Sequence, residues 1–320
     1  MKFGFTTKTI LVLLVSLLAG CSQQSSSPTR KPSSVRVHKD SKSALKTSGS
    51  NNRSSYQTLS QNKEVNRLMK QCIDSAGGRT SIFVSSLNTN PKISRMINFG
   101  SQRAASDIKV FIMADILEMV KSHQLSLSKV IPIHASDVVG GTGVAATKNT
   151  SQMTVNQLLE LMIKQSDNTA TNALIDLAGG LKPINNFIQQ KGFRETFLKR
   201  KMLDMKALNS GKDNLTSVKD LGTFLTRVYY HQLLGKQFDS KMLVLLTNNV
   251  NQGKLPKLVT GANIYNKTGE FPNYGVQNDA AIITKGKRGF IAVVMSENGN
   301  QSKQIYAMNV LGKQLAQIFL

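Results

Sequence analysis

Three short runs carry side chains suited to acyl-group chemistry: Ser106-Asp107-Ile108-Lys109, Ser166-Asp167-Asn168 and Lys267-Thr268-Gly269. A serine hydroxyl is a weak nucleophile until a base takes its proton. Ser106 and Lys109 supply that pair, because side chains three apart share a helix face. Lys109 acts as a base only while neutral, and burial and the cation at Lys267 both press its pKa down. Ser166 can pass a proton to the leaving nitrogen, and Asn168 can hold a substrate amide. Lys267 and Thr268, on a strand edge closed by Gly269, can hold a substrate carboxylate. Backbone N–H groups of Ser106 and Glu270 are expected to form an oxyanion hole, where losing one donor typically costs about 3 kcal/mol of barrier.

The elements that position these residues begin near Lys63. Residues 64–76 read as a helix stopped by Gly77-Gly78, with Cys72 inside it as a small buried apolar residue. Residues 80–87 and 93–99 read as strands. Residues 106–122 read as a helix that is apolar over most of its circumference, hence buried in mid-domain. Ser106 then sits in the positive field of its N-terminus, with Asp107 helping to cap it. Thr154 and Gln157 spell a capping box. Further helices are expected over 171–178, between Pro183 and Gly192, over 217–230 and over 240–249. Strands follow at 262–267, 280–284 and 290–296, then an amphipathic helix at 303–319. The fold class is α+β: strands from both chain ends form one antiparallel sheet, flanked by the terminal helices, with an all-helical block beside it.

The chain has 320 residues, no Trp and a net charge of +23. That charge suits an anionic envelope surface. No run mixes basic with aromatic residues as a nucleic-acid module would, so nucleic acid is not an expected partner. Cys21 and Cys72 are the only cysteines, which excludes a disulfide framework. His123, His134 and His231 are scattered and lack metal-ligand spacing. At the N-terminus, Lys2 and Lys8 precede an apolar stretch over 9–18 that is short for a membrane span. Its ending, Leu18-Ala19-Gly20-Cys21, resembles the lipobox of bacterial lipoproteins. Residues 1–20 are thus expected to be a signal peptide and Cys21 to be lipidated. Residues 21–62 are expected to be a flexible, basic, Ser-rich tether, because they hold too little apolar surface to offset ordering entropy. Residues 63–320 form the expected catalytic domain, a monomer exported to the cell envelope and tethered to its membrane.

In this order the three runs resemble those of the class A serine β-lactamases and their penicillin-binding relatives. The likeness extends to Gly140-Gly141-Thr142-Gly143, to Leu159–Asn172, to Asn278-Asp279 and to Met295-Ser296-Glu297-Asn298, and spans residues 63–320. It implies the serine β-lactamase fold, an acyl-enzyme on Ser106, and neither metal nor cofactor. Asp167 would support the loop that aims Ser166 and Asn168, and the Glu270 side chain would be solvated. One departure stands out. The family frees its acyl-enzyme with the glutamate of an E-x-x-L-N loop. This chain reads Asp204-Met205-Lys206-Ala207-Leu208-Asn209, with Met205 at the glutamate position. Either Asp204, one residue early, takes the role of deacylation base, or deacylation is slow. The family's arginine for the substrate carboxylate is also missing after Gly269; Gln277 stands near that place. Three functions stay open: hydrolysis of β-lactam antibiotics, DD-peptidase or penicillin-binding action on peptidoglycan peptides, and non-catalytic binding on the same fold. The intact Ser106, Lys109, Ser166 and Lys267 argue against the third.

Overall fold

Helix α1 (Gly49–Ala76) and strands β1 (Arg79–Leu87), β2 (Ser94–Ile97) and β3 (Gln102–Arg103) begin the computed structural model, which describes residues 49–320 except 91, 98 and 148–150, with side chains from residue 58. The signal segment, Cys21 and the tether up to residue 48 lie outside the described residues. Helix α1 starts well inside the span read as tether. Val65, Leu68, Met69, Cys72 and Ala76 bury one face of it. Once that face has nucleated the helix, polar turns can be added at its N-terminal end without a second nucleation cost.

A 3-10 turn (Ala105–Ile108) leads into helix α2 (Lys109–Lys121). The expected single helix from residue 106 is thus two pieces, and Ser106 lies one turn ahead of the α-helix proper. Nine consecutive residues of α2, Lys109 to Leu117, are buried. Phe111 meets Phe193 and Phe224 edge-on at 5.0 and 5.1 Å, which fills mid-domain without Trp. Strands β4 (Val130–Pro132) and β5 (Gln152–Thr154) pair with each other. The helical block continues with α3 (Val155–Lys164), α4 (Asn168–Leu177), α5 (Leu181–Gln190) and the short α6 (Met205–Asn209). Thr154 and Gln157 form the expected capping box at the start of α3. Strand β6 (Leu215–Thr216) pairs with β3, and α7 (Val218–Tyr229) and α8 (Lys236–Leu246) complete the block.

The chain closes with β7 (Asn263–Phe271), β8 (Val276–Lys285), β9 (Arg288–Glu297) and α9 (Gln301–Phe319). The sheet order is β2-β1-β9-β8-β7, antiparallel throughout, so both chain ends meet in one sheet as the strand pattern requires. Alternate residues face opposite sides. Ala280, Ile282, Ile291, Val293 and Met295 join the core of the helical block. Ala281, Ile283, Phe290, Ala292 and Val294 join a second core with α1 and α9. With both faces covered, β8 and β9 read as continuous apolar runs. Strand β7 is one edge of the sheet and packs against the turn that carries Ser106.

Candidate active site

Gly269 lets two elements approach as closely as the site needs. A Cβ there would stand 2.7 Å from Ala104 O and 3.2 Å from Ser106 N. Strand β7 and the 3-10 turn therefore touch backbone to backbone, which brings the Ser106 N–H to the strand edge beside Glu270. Two non-glycine residues next to the chemistry hold left-handed backbone, Ala105 at φ 45° and Ser166 at φ 54°. Such conformations survive only where the surroundings over-determine them, and they gather at functional sites. Here Ala104 N bonds Asn214 O at 2.9 Å, and Asn278 Nδ2 bonds Arg103 O at 2.9 Å, pinning the turn from two sides.

Ser166 is aimed in the same way. Asp167 is the N-cap of α4 and accepts from Ala170 N at 2.8 Å. Its other oxygen accepts from Val144 N and Ala145 N, each at 2.7 Å. One buried carboxylate thus ties the glycine-rich loop to the helix, the supporting role expected of it. Thr142 Oγ1 adds a hydrogen bond of 2.6 Å to Ser166 O.

The side chains meet at Ser166. Lys109 Nζ donates to Ser166 O at 2.6 Å, to Ser166 Oγ at 3.2 Å and to Asn168 Oδ1 at 3.0 Å. Lys267 Nζ donates to the same Ser166 Oγ at 3.1 Å and to Thr268 O at 2.7 Å. Both lysines are fully buried. Burial, then the Lys267 charge, pushes Lys109 well below the ordinary lysine range. Burial also lowers Lys267, to about 8, against the opposing pull of Asp107. Among the described residues no hydrogen bond joins Lys109 Nζ to Ser106. Such contacts commonly tighten only once substrate is bound. Ser106 and Ser166 are half-buried and share a cavity of about 370 Å³ with Asn168, Thr268 and Glu270.

Asp204 is not among the residues lining that cavity; its neighbours Leu203 and Met205 are. Its carboxylate caps α6, accepting from Ala207 N at 2.9 Å, and is solvent-exposed. Nor does it pair with Arg200 or Lys201. Arg200 binds Asp213, and Lys201 binds Asp137 and Asp176. Asp107 does not cap a helix: Ile108 is the N-cap of α2 and makes no side-chain cap bond. Glu270 is the one carboxylate among the lining residues. It faces solvent as expected, yet it accepts from Asn251 Nδ2 at 2.6 Å and pairs with the buried Lys254 at 3.1 Å. Those contacts outweigh the upward push of its burial and hold its pKa below the ordinary carboxylate value. Gln277 is fully buried and does not reach the cavity, whereas Arg200 lines it. Arg200, Lys254 and Asn214 had no short motif to announce them, since each reaches the site from a loop. Among the described residues no group of three or more His, Cys, Asp or Glu side chains could hold a metal ion.

The sequence profile of the Beta-lactamase enzyme family matches residues 62–319. The chain is similar to the beta-lactamase OXY-2 of Klebsiella oxytoca, 26% identical over 213 residues, covering 65% of this chain and 72% of that protein. It superposes on a beta-lactamase from Sphaerobacter thermophilus with a TM-score of 0.69 at 24% identity, covering 79% of this chain and 96% of the other. PBP-A superposes with a TM-score of 0.70 at 22% identity, covering 80% and 94%. These structural likenesses are likenesses of fold.

Proposed function

The chain belongs to the Beta-lactamase enzyme family, and on that premise we propose that it opens β-lactam rings through an acyl-enzyme on Ser106. The observation that carries this is the convergence of Lys109 and Lys267 on Ser166 Oγ in the cavity that also holds Ser106. Neutral Lys109 takes the Ser106 proton as Oγ attacks the lactam carbonyl. The N–H groups of Ser106 and Glu270 receive the developing oxyanion. Ser166 gives a proton to the departing ring nitrogen and is reprotonated from the lysine side. The Lys267 ammonium and Thr268 hold the substrate carboxylate, and Asn168 its amide. Water then hydrolyses the ester, freeing Ser106 and a carboxylic acid.

A second reading is favoured by one particular observation. Met205, at the position where the resemblance calls for a glutamate, presents an apolar side chain to the cavity, and Glu270 is engaged with Lys254 and Asn251. Acylation is equally well served in this reading, but the acyl-enzyme is long-lived. The natural substrate is then a peptidoglycan peptide and the activity that of a DD-peptidase. Incubation with a fluorescent penicillin and a chromogenic cephalosporin separates the two. Rapid colour without retained label supports the first reading, and retained label with little turnover supports the second. Ser106→Ala should abolish labelling in either case with the fold intact. An adduct found by mass spectrometry on another residue would sink both readings. The proposed location is the periplasmic or extracytoplasmic face of a membrane, with lipid on Cys21, a reading supported by the Leu18-Ala19-Gly20-Cys21 ending of the apolar stretch.

A further inference from the structure

The turn from β8 into β9 places Lys285, Lys287 and Arg288 at one end of the sheet, all three exposed. The loop between β1 and β2 adds the exposed Lys92. Three contacts gather these segments. Asn88 Nδ2 donates to Lys287 O at 3.1 Å. Asn88 N donates to Tyr230 Oη at 3.3 Å, and Lys92 Nζ stands 5.6 Å from the centre of the same ring. Arg288 donates to Ile318 O at 3.4 Å, which brings the C-terminal end of α9 here as well. Among the described residues none of the four cations takes part in an ion pair. Against them α9 brings only the terminal carboxylate of Leu320, and Glu64 of α1 is already held by Arg67 Nε at 2.8 Å. The cavity end is matched instead: Arg79 pairs with Glu297 at 2.8 Å, Arg200 with Asp213 at 2.8 Å and Lys254 with Glu270 at 3.1 Å. Helix α1 enters the domain at the unmatched end. A Cβ on Gly299, just ahead of α9, would stand 3.4 Å from Ala76 O, the last residue of α1. Further along, Leu68 of α1 and Gln314 of α9 border one groove. The two helices therefore run antiparallel, and the N-terminal turns of α1 lie toward the end of α9 that Arg288 touches. The residues ahead of α1, Cys21 among them, are joined to the domain at this end.

We propose that this end of the sheet, with Lys92, Lys285, Lys287 and Arg288, docks on the anionic lipid head groups of the membrane that holds the chain, and that the cavity stands clear at the other end. The inference rests on the envelope reading above, in which lipid on Cys21 is the anchor. A lysine or arginine close to an anionic bilayer is worth about fivefold in binding. The attraction fades within about 8 Å at physiological salt, so only the end that approaches the surface gains from it. An anchored domain is already concentrated at the surface, and a weak electrostatic contact then suffices to set its orientation. Lys285 ends β8, whereas Gln277 near the start of β8 pairs with Glu270 at the cavity. Those two levels are about 26 Å apart at roughly 3.3 Å per strand residue. Docked in this way, Ser106 remains open to substrate beyond the head groups.

The test uses the mature chain, residues 21–320, carrying Cys21→Ala so that no lipid contributes. Its binding is measured by cosedimentation with phosphatidylcholine vesicles, with and without phosphatidylglycerol. Lys92→Gln, Lys285→Gln and Lys287→Gln together should weaken binding to the anionic vesicles by at least about tenfold. Arg288 is left in place because it also holds Ile318 O. Lys199→Gln, Lys206→Gln and Lys212→Gln together remove the same charge from exposed positions at the cavity end. That second variant should change binding by no more than about twofold, since its sites lie beyond the screening distance. Equal losses in the two variants would overturn the proposal, because net charge would then carry the binding. So would no loss in either, or a parent chain that ignores phosphatidylglycerol. A first variant that loses its hold on soluble polyglutamate but not on vesicles would also overturn it and assign the face to an anionic polymer. The vesicle measurement needs no lipid on Cys21. It therefore decides the docking face even if Cys21→Ala leaves fractionation in cells unchanged and the anchor reading fails.

Discussion

Gly269 shows how far a single atom matters at the site. Any side chain there would press on backbone, Ala104 O and Ser106 N, rather than on a movable side-chain end. Gly269→Ala should therefore push β7 away from the 3-10 turn while the sheet persists. Displacements on the order of 1 Å can cost about 100-fold in rate, and that loss is expected in Ser106 acylation with the circular dichroism unchanged. An acylation rate like that of wild type would mean that the close approach is not needed. Lys109 yields a second prediction. Burial, then the Lys267 charge, holds its pKa well below the ordinary value. The base must be neutral, so acylation falls as pH drops through that lowered value. Lys267→Gln removes the nearby cation, which raises the Lys109 pKa and moves the acid limb of the profile to higher pH. A limb that moves the other way, or not at all, would remove Lys109 from the role of base.

The elements distinguish residues that look alike in sequence. Asp204 and Met205 are adjacent, but the turn into α6 sends one to solvent as a cap and the other to the cavity. Asp204→Ala should cost about 1 kcal/mol of stability through the lost cap, and Asp204→Asn very little. Neither should alter the lifetime of the acyl-enzyme. A longer lifetime in Asp204→Asn would restore Asp204 as the deacylation base. Met205→Glu places a carboxylate in the cavity where an attacking water would need its base. If wild type retains penicillin, this variant should shorten adduct lifetime, since a general base contributes about 100- to 10,000-fold. The segment carrying both residues is braced by Asp213, which accepts from Arg103 and from Arg200 Nε, the latter at 2.9 Å. Asn214 adds bonds to Lys199 N at 2.7 Å and Arg200 N at 3.0 Å.

For the whole molecule, the two cores divide the work. The helical block and one sheet face hold Ser106, Lys109 and Ser166 in register with β7, while α1 and α9 cover the other face. No helix among the described residues is long and apolar enough to cross a membrane. In the proposed reading, membrane attachment comes from the lipid on Cys21, with the cations of residues 21–62 near an anionic surface. Cys21→Ala should release the protein from the membrane fraction and leave its acylation by penicillin intact. Unchanged fractionation and processing would remove the lipobox reading.

The strand and helix periodicities, the antiparallel sheet from both chain ends, and the three runs that meet in the site are all legible in the order of residues along the chain. Each of these is written in local spacing: short continuous apolar runs in β8 and β9, the capping box at Thr154, and a lysine three residues after Ser106. Helix α1 ran past its expected start because helix propagation follows a buried face that lies further along. The 3-10 turn at Ala105–Ile108, the burial of Asp107 and Lys254, and the solvent-facing aspect of Asp204 were decided only by the tertiary structure. Those depend on which chain segment packs over which side chain, through contacts between residues far apart in sequence. Lys254 is the plainest case. In sequence it is one more lysine in a basic chain, and only the closure of its loop against β7 and β8 makes it a buried cation facing Glu270 and Gly269 O.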